Sequence, residues 1–133
     1  MVNETDDRKF TAPTGFLAKA PLSSAIEVGG MIFVSGQIGI DEAGAVVEGG
    51  IGAQTRACLQ TIKDVLGSMG ADMSDIVQVR IYLTDFSGYD DYNRAYCEFF
   101  QAPFPTRATV GTPQLALGAE VEIEAIAVRR AKT

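Results

Sequence analysis

One arginine, Arg107, stands in an extended segment that follows two closely spaced prolines, Pro103 and Pro105. The prolines restrict the backbone and stiffen the chain that leads into this segment. A guanidinium group stays charged at any relevant pH and matches a carboxylate with two parallel hydrogen bonds. The segment therefore predicts one of two roles for Arg107: a carboxylate clamp in a binding site, or an ion pair with an acidic residue at an interface.

Three glutamates, Glu120, Glu122 and Glu124, alternate with apolar residues near the end of the chain. In a strand, this spacing puts all three carboxylates on one face. Mutual repulsion and partial burial raise the pKa of such carboxyl groups, and a group with a raised pKa can hold a water or transfer a proton. The alternative is a solvated acidic edge. Because Ile126 and Val128 continue the same face, we expect at least one glutamate at the margin of an interface.

A Ser35-Gly36 pair interrupts an apolar strand pattern. Glycine inside a strand often marks a bulge or a close backbone approach, which can expose N–H groups and a hydroxyl to a ligand. The chain has no histidine, and Ser35 has no base in its sequence neighbourhood. Ser35 is therefore expected to be a hydrogen-bond donor, and not a nucleophile. Ser-His-Asp catalysis and His-ligated metal sites are excluded, and we expect no metal.

The elements that must position these residues follow from apolar periodicity. A Gly29-Gly30 pair between two apolar runs predicts a hairpin. The whole pattern predicts the order β-β-(β)-α-β-α-β-β, with strands over 25–28, 31–35, 46–47, 76–84, 106–110 and 120–129 and helices over 54–69 and 89–100. Two helices on one mixed sheet make a two-layer α+β domain. We expect a single domain over residues 1–133, with residues 1–12 as a flexible N-terminal extension.

The strand over 76–84 has two different faces. One face is apolar, with Val77, Val79, Ile81 and Leu83, and the other carries Gln78, Arg80 and Tyr82. Helices can cover only one of these faces, and a half-apolar face left uncovered is typical of a subunit interface. We therefore expect an oligomer; the alternative is a monomer with a solvated sheet face.

Charge and hydropathy narrow the choice of partners. The chain has 133 residues and a net charge of -6, which disfavours binding to nucleic acid or to an anionic membrane surface. No apolar run approaches the ~20 residues that span a bilayer. No signal peptide is visible, so a cytoplasmic protein is expected.

Four segments together resemble the RidA/YjgF family of enamine/imine deaminases. They are Ser-Gly-Gln-Ile at 35–38, Tyr-Asn-Arg-Ala-Tyr at 92–96, Pro-Thr-Arg at 105–107 and Val-Glu-Ile-Glu-Ala-Ile-Ala at 121–127, and the resemblance runs from about residue 21 to residue 130. It implies a chorismate mutase-like fold, a mixed sheet with two helices on one face, and a homotrimer whose free sheet faces form a central β-barrel. It also implies three sites in the clefts between subunits.

The resemblance further implies roles for individual residues. Arg107 would bind the substrate carboxylate and Glu122 would position or activate water, while Ser35 and Asn93 line or support the cleft. The implied reaction is hydrolysis of 2-imino or 2-enamino acids to 2-oxo acids and ammonia without a cofactor, as in a 2-iminobutanoate/2-iminopropanoate deaminase.

Two positions depart from the pattern of this family. Leu22 stands where many deaminating members have tyrosine, and Thr109 stands where they often have cysteine. We expect both to contribute to substrate binding, together with Gly36. An alternative function is therefore a non-catalytic protein of the same fold that binds a small carboxylate such as a 2-oxo acid. A third possibility, an endoribonuclease, is disfavoured by the negative net charge.

Overall fold

The computed structural model describes residues 7–130. One six-stranded mixed sheet carries two helices on one face, as predicted, so the α+β fold is confirmed. The strands are β1 Lys9–Thr11, β2 Ala25–Val28, β3 Met31–Ile38, β4 Ile76–Leu83, β5 Thr106–Gly111 and β6 Val121–Val128, and the helices are α1 Gly50–Ser68 and α2 Tyr89–Tyr96. The strand order is β1-β2-β3-β6-β4-β5, in which β4 and β5 form the parallel pair.

The predicted hairpin between β2 and β3 is confirmed. Gly29 and Gly30 form its turn with φ angles of 57° and 79°. Both residues are glycine because a side chain would make this left-handed backbone unfavourable.

The core lies between the sheet and the helices. The apolar stripe of α1 (Cys58, Leu59, Ile62 and Leu66) is fully buried, as are Val79, Ile81 and Leu83 of β4 and Val121, Ile123 and Ala127 of β6. Helix α1 begins four residues earlier than predicted, since residues 50–53 carry no apolar stripe that would have marked them. Helix α2 ends at Tyr96, before the predicted residue 100.

Three local predictions were wrong. Val77 is 46% exposed because a register shift between Ile76 and Gln78 turns it away from the core. The segment 46–47 forms only a bridge between Val46 and Ile40. Within the expected flexible extension, residues 9–11 form β1 and pair with β2, because this short segment can satisfy its backbone groups at the sheet edge. Residues 1–6 of that extension lie outside the described residues.

The sheet face opposite the helices has no cover within the described chain. Phe10, Ile26, Phe33 and Ile126 follow one another across the sheet on this face, as the strand register shows. Phe10 is 63% exposed and Phe33 is 41% exposed. A contiguous apolar face of this kind marks an interaction surface.

Across residues 7–130, no helix is both long and apolar enough to cross a membrane.

Arg129 connects the end of β6 to β2 and to the C-terminal end of α1. Arg129, just after β6, donates from Nε and Nη2 to the carboxylate of Glu27 in β2, at 2.7 and 3.0 Å. It also donates to the carbonyl oxygens of Met69 and Gly70 at the end of α1. The hydrogen bond from Arg129 holds the pKa of Glu27 below its ordinary value of 4.5.

We predict that Arg129→Ala lowers the free energy of unfolding at pH 7 by about 2 kcal/mol, because it leaves the buried Glu27 carboxylate unpaired. Arg130→Ala is the matched control: Arg130 is 73% exposed, its ion pair with Asp75 is 3.6 Å long, and its loss should cost less than about 1 kcal/mol. Urea unfolding measures both.

The difference between wild type and Arg129→Ala should also depend on pH. Since the pKa of Glu27 is lowered in the fold, its contribution is present above the ordinary value and is lost as the pH falls through the folded value. The cost of Arg129→Ala should therefore shrink below about pH 4. Equal free energies of unfolding for wild type and Arg129→Ala at pH 7 would contradict the stabilising role of the Arg129–Glu27 pair.

Candidate functional site

Arg107 lies on the helix face of the sheet. It is in register with the buried Val79, so its side chain projects from β5 toward α2. Its Nη1 donates to Oδ1 of Asn93 at 2.8 Å, and its Nη2 donates to the hydroxyl oxygen of Tyr89 at 2.8 Å. The two contacts fix the plane of the guanidinium group.

The rings of Tyr89, Tyr92 and Tyr96 form an aromatic platform beneath this guanidinium. Its carbon lies 4.7 Å from the ring centre of Tyr96, 5.3 Å from that of Tyr92 and 5.9 Å from that of Tyr89. Helical spacing of three and four residues places the rings side by side on α2. A cation over aromatic faces is attracted to them, so the platform holds the charge in a partly buried position.

A cavity of about 320 Å³ opens beside the guanidinium; we call it the Arg107 cavity. It is lined by Asn93, Tyr96, Cys97, Phe104, Pro105 and Arg107. Arg107 is the charged residue among them, and two of the five N–H groups of a guanidinium donate to Asn93 and Tyr89. The remaining three have no acceptor among residues 7–130. An apolar cavity with free guanidinium N–H groups can bind a small carboxylate.

Thr109 lies on the same face of β5, two residues beyond Arg107. Its Oγ1 shares a 2.7 Å hydrogen bond with the hydroxyl of Tyr92, which is fully buried. Burial raises the pKa of Tyr92 and raises the pKa of Tyr96 to about 12. These phenols therefore stay protonated and neutral beside the arginine.

Glu122 lies on the opposite face of the sheet. It alternates with the buried Val121 and Ile123 and is in register with Tyr82. Its carboxylate packs against Gly36, where an added Cβ would lie 2.6 Å from Oε2. Burial raises the pKa of Glu122, and the charge of Glu124 raises it further. The sequence spacing predicted a raised pKa for this group of glutamates.

The other two glutamates have different partners. Glu120 does not join Glu122: its carboxylate accepts from Nε2 of the buried Gln54 at 2.9 Å, so it turns toward α1. The prediction of three carboxylates on one face is therefore wrong for Glu120, because it precedes the regular part of β6. Glu124 accepts from the hydroxyl of Tyr82 at 2.8 Å.

Ser35 and Gly36 form the expected interruption of β3. The register with β6 shifts between Val34 and Gln37. The Ser35 hydroxyl donates to the carbonyl oxygen of Ser23 at 2.6 Å, so it anchors the loop that carries Leu22. Leu22 is 44% exposed and lines a second cavity, of about 390 Å³, together with Gly36.

The seven predicted site residues fall into two groups. The arginine group (Arg107, Asn93 and Thr109) surrounds the helix face of β5, and the glutamate group (Leu22, Ser35, Gly36 and Glu122) surrounds β3 and β6. Strand β4 separates β5 from β6, which is about 10 Å of sheet, and the side chains of Arg107 and Glu122 leave opposite faces. One chain therefore does not bring the two groups together.

Sequence reasoning missed the contribution of Tyr89 and Tyr96. Tyr96 belongs to the apolar side of the helix predicted over 89–100, since a tyrosine at helical spacing is typical of a core, and Tyr89, the first residue of that helix, was given no role. The available signal was that three hydroxyl-bearing rings, at 89, 92 and 96, share one face with Asn93.

Residues 7–130 contain no group of three or more His, Cys, Asp or Glu side chains placed to hold a metal ion.

Three comparisons relate this chain to known proteins. The family model described as endoribonuclease L-PSP matches residues 13–129. A 2-iminobutanoate/2-iminopropanoate deaminase of Dermatophagoides farinae is 40% identical over 109 residues, which cover 81% of this chain and 85% of the relative.

Solved structures agree with this relationship. The YjgF gene product of E. coli has a TM-score of 0.83 and 33% identity, with 92% of this chain and 99% of the other covered. The structure of E. coli TdcF with bound serine has a TM-score of 0.78 and 30% identity, with 91% and 94% covered.

The raised pKa of Glu122 yields a prediction about stability. A carboxyl group whose pKa is raised in the fold contributes stability below its ordinary pKa and loses it as the pH rises through the folded value. Glu122→Gln should therefore stabilise the protein relative to wild type at pH 7, and the gain should shrink at pH 4. Glu42→Gln, on an exposed turn, is the control. Urea unfolding measures the difference in free energy of unfolding between Glu122→Gln and wild type. If this difference is the same at pH 4 and pH 7, the prediction is wrong.

Proposed function

This chain belongs to the RidA/YjgF family, and we propose that it hydrolyses reactive 2-imino and 2-enamino acids to 2-oxo acids and ammonia. The observation that carries this proposal is the Arg107 guanidinium, which is held by Asn93 and Tyr89 at the wall of a small cavity and keeps free N–H groups. Its relative in Dermatophagoides farinae is named for this class of reaction. TdcF, whose structure contains serine, supports an α-amino acid-like ligand with a carboxylate.

In the proposed mechanism, Arg107 binds the substrate carboxylate and fixes the position of the neighbouring imine carbon. Water adds to the C=N bond, and the ionised Glu122 accepts a proton from that water. Glu122 delivers this proton to nitrogen, which gives a tetrahedral carbinolamine. The hydroxyl proton of the carbinolamine then also passes to nitrogen by way of Glu122, the C–N bond breaks, and ammonia leaves as the C=O bond of the 2-oxo acid forms. An imine already hydrolyses in water, so positioning and charge complementarity supply the acceleration without a cofactor.

The proposed site needs two chains, because Arg107 and Glu122 leave opposite faces of one sheet. We propose a homotrimer in which the uncovered apolar face, with Phe33 and Ile126, forms a central β-barrel. Each cleft between subunits would then combine the arginine group of one chain with the glutamate group of its neighbour.

The remaining residues would shape this cleft. Asn93 orients Arg107, and Ser35 holds the loop with Leu22. Gly36 leaves room for the Glu122 carboxylate and exposes its backbone to the substrate. Thr109 supports the wall beneath the arginine through Tyr92.

A second candidate function is favoured by Leu22, which presents an exposed apolar side chain to the proposed cleft. The same site could bind a 2-oxo acid without turnover. The family description also names an endoribonuclease, but the net charge of -6 repels a phosphate backbone, so we favour a small carboxylate over RNA.

We predict that this protein accelerates release of 2-oxobutanoate from 2-iminobutanoate generated in situ by a dehydratase. Arg107→Ala should lower kcat/KM by about 100-fold or more, since it removes the carboxylate partner. Arg107→Lys should retain part of the activity, because a lysine keeps the charge but not the fork. Arg94→Ala is the control, since Arg94 pairs with Asp91 on the exposed side of α2.

Equal acceleration by wild type and Arg107→Ala would remove Arg107 from the mechanism. If no imino acid is hydrolysed faster than in buffer, while calorimetry detects binding of 2-oxobutanoate that Arg107→Ala abolishes, the protein is a binding protein and not a deaminase.

A mixing experiment tests the two-chain site. Arg107→Ala and Glu122→Gln should each be inactive alone. When the two are unfolded, mixed in equal amounts and refolded, about one quarter of the clefts should combine an intact arginine with an intact glutamate. We predict about one quarter of the wild-type activity. No recovery, in a mixture that assembles normally on a sizing column, would place both residues in one chain's site.

A further inference from the structure

We propose that Tyr89 is a second carboxylate-binding residue, whose hydroxyl donates a hydrogen bond to the same substrate carboxylate that Arg107 binds. This inference rests on the proposed function, because it adds a residue to the same site. It concerns the first side chain of α2, for which the sequence predicted no role.

The position of the phenol proton carries the argument. A guanidinium group contains only donors, so the Tyr89 oxygen must accept the 2.8 Å hydrogen bond from Nη2 of Arg107. The phenol proton therefore points elsewhere, and it has no acceptor among residues 7–130. The result is an O–H donor directly beside the free N–H groups of the arginine.

The other three tyrosines are in different situations. The Tyr82 hydroxyl donates to Glu124 and the Tyr92 hydroxyl is paired with Thr109. The Tyr96 hydroxyl has no hydrogen-bond partner among residues 7–130, but it is buried from solvent. Tyr89 is half-buried, so its hydroxyl combines a fixed position with an available proton.

The ring of Tyr89 is held from both sides. Phe86 stacks on it at 6.2 Å between ring centres, and Tyr92 meets it edge-on at 5.3 Å. The turn that carries Phe86 is closed by Asp85, whose carboxylate accepts from the backbone N–H of Ser87 at 2.8 Å. This support keeps the hydroxyl beside Arg107 before any ligand arrives, which lowers the entropy lost on binding.

A carboxylate fits the two donors. It has two oxygens and about four lone-pair sites, so one oxygen can accept from the phenol and the guanidinium together. A phenol O–H adds a second hydrogen bond to the carboxylate without adding a second charge beside the arginine. The pairing would favour a carboxylate over an uncharged amide or ester at the same position.

The test compares Tyr89→Phe with wild type and with Ser74→Ala, the loss of a hydroxyl that is bonded to the carboxylate of Asp72 before the start of β4. Calorimetry measures the Kd of 2-oxobutanoate, and kinetics on 2-iminobutanoate give kcat and KM. We expect Tyr89→Phe to raise Kd and KM about tenfold with kcat nearly unchanged, and Ser74→Ala to stay within about twofold of wild type. Binding of 2-oxobutanamide should be weak and equal in all three proteins. Thermal unfolding verifies that each variant is folded.

A second comparison separates direct contact from support of Arg107. If Tyr89 only holds the arginine, Tyr89→Phe should have no effect in an Arg107→Lys background. If it donates to the ligand, it should still weaken 2-oxobutanoate binding several-fold there. Loss of the effect in that background would overturn the proposal.

The outcomes also separate this inference from the proposed function. Unchanged Kd and KM in Tyr89→Phe, with binding abolished in Arg107→Ala, would overturn only the role of Tyr89. Binding that depends on Tyr89 without any imine hydrolysis would support the role of Tyr89 and overturn the deaminase. If wild type neither binds 2-oxobutanoate nor accelerates hydrolysis of 2-iminobutanoate, both proposals fail.

Discussion

The contact between Arg107 and the tyrosine-bearing face of α2 is the interaction on which the proposed site depends. A partly buried positive charge is costly unless polar groups and aromatic faces surround it. Here Asn93, Tyr89 and the ring of Tyr96 meet that requirement and still leave N–H groups free. The same contact connects α2 to β5, which lies at the edge of the described sheet beside β4. The side chains that connect the helix to this strand therefore also present the proposed binding group.

The alternation of side chains along a strand imposes the second constraint. Arg107 and Glu122 belong to strands two places apart, and their side chains project from opposite faces. No change of rotamer crosses a packed sheet, so a reaction that uses both residues requires two copies of the chain. Phe10 and Phe33 are exposed on the face that carries Glu122. Burial of this apolar face against another copy of the chain would therefore be favourable. In this interpretation, the hydrophobic effect that assembles the protein also completes the site.

Much of the fold was predictable because its signals are local. The Gly29-Gly30 turn, the apolar stripe of α1 and the alternation in β6 each follow from a few adjacent residues. Local signals failed where one residue shifts the register, as at Val77, and where a partner is distant in sequence, as for Glu120 and Gln54. For the same reason the sequence identified Arg107 as important but could not show that Tyr89, 18 residues earlier, shares its hydrogen bond.

The two positions that depart from the family pattern differ in structural consequence. The Thr109 hydroxyl is already paired with Tyr92 inside the chain, so this change alters the support beneath Arg107 and leaves its free N–H groups unaffected. Leu22 is exposed and lies with Gly36 in the glutamate group, so it would meet an arginine only across the boundary between two chains. Its apolar side chain changes the wall opposite the carboxylate clamp. In the proposed site the arginine therefore keeps its free N–H groups, and the two departures would affect which side chain the bound acid can carry.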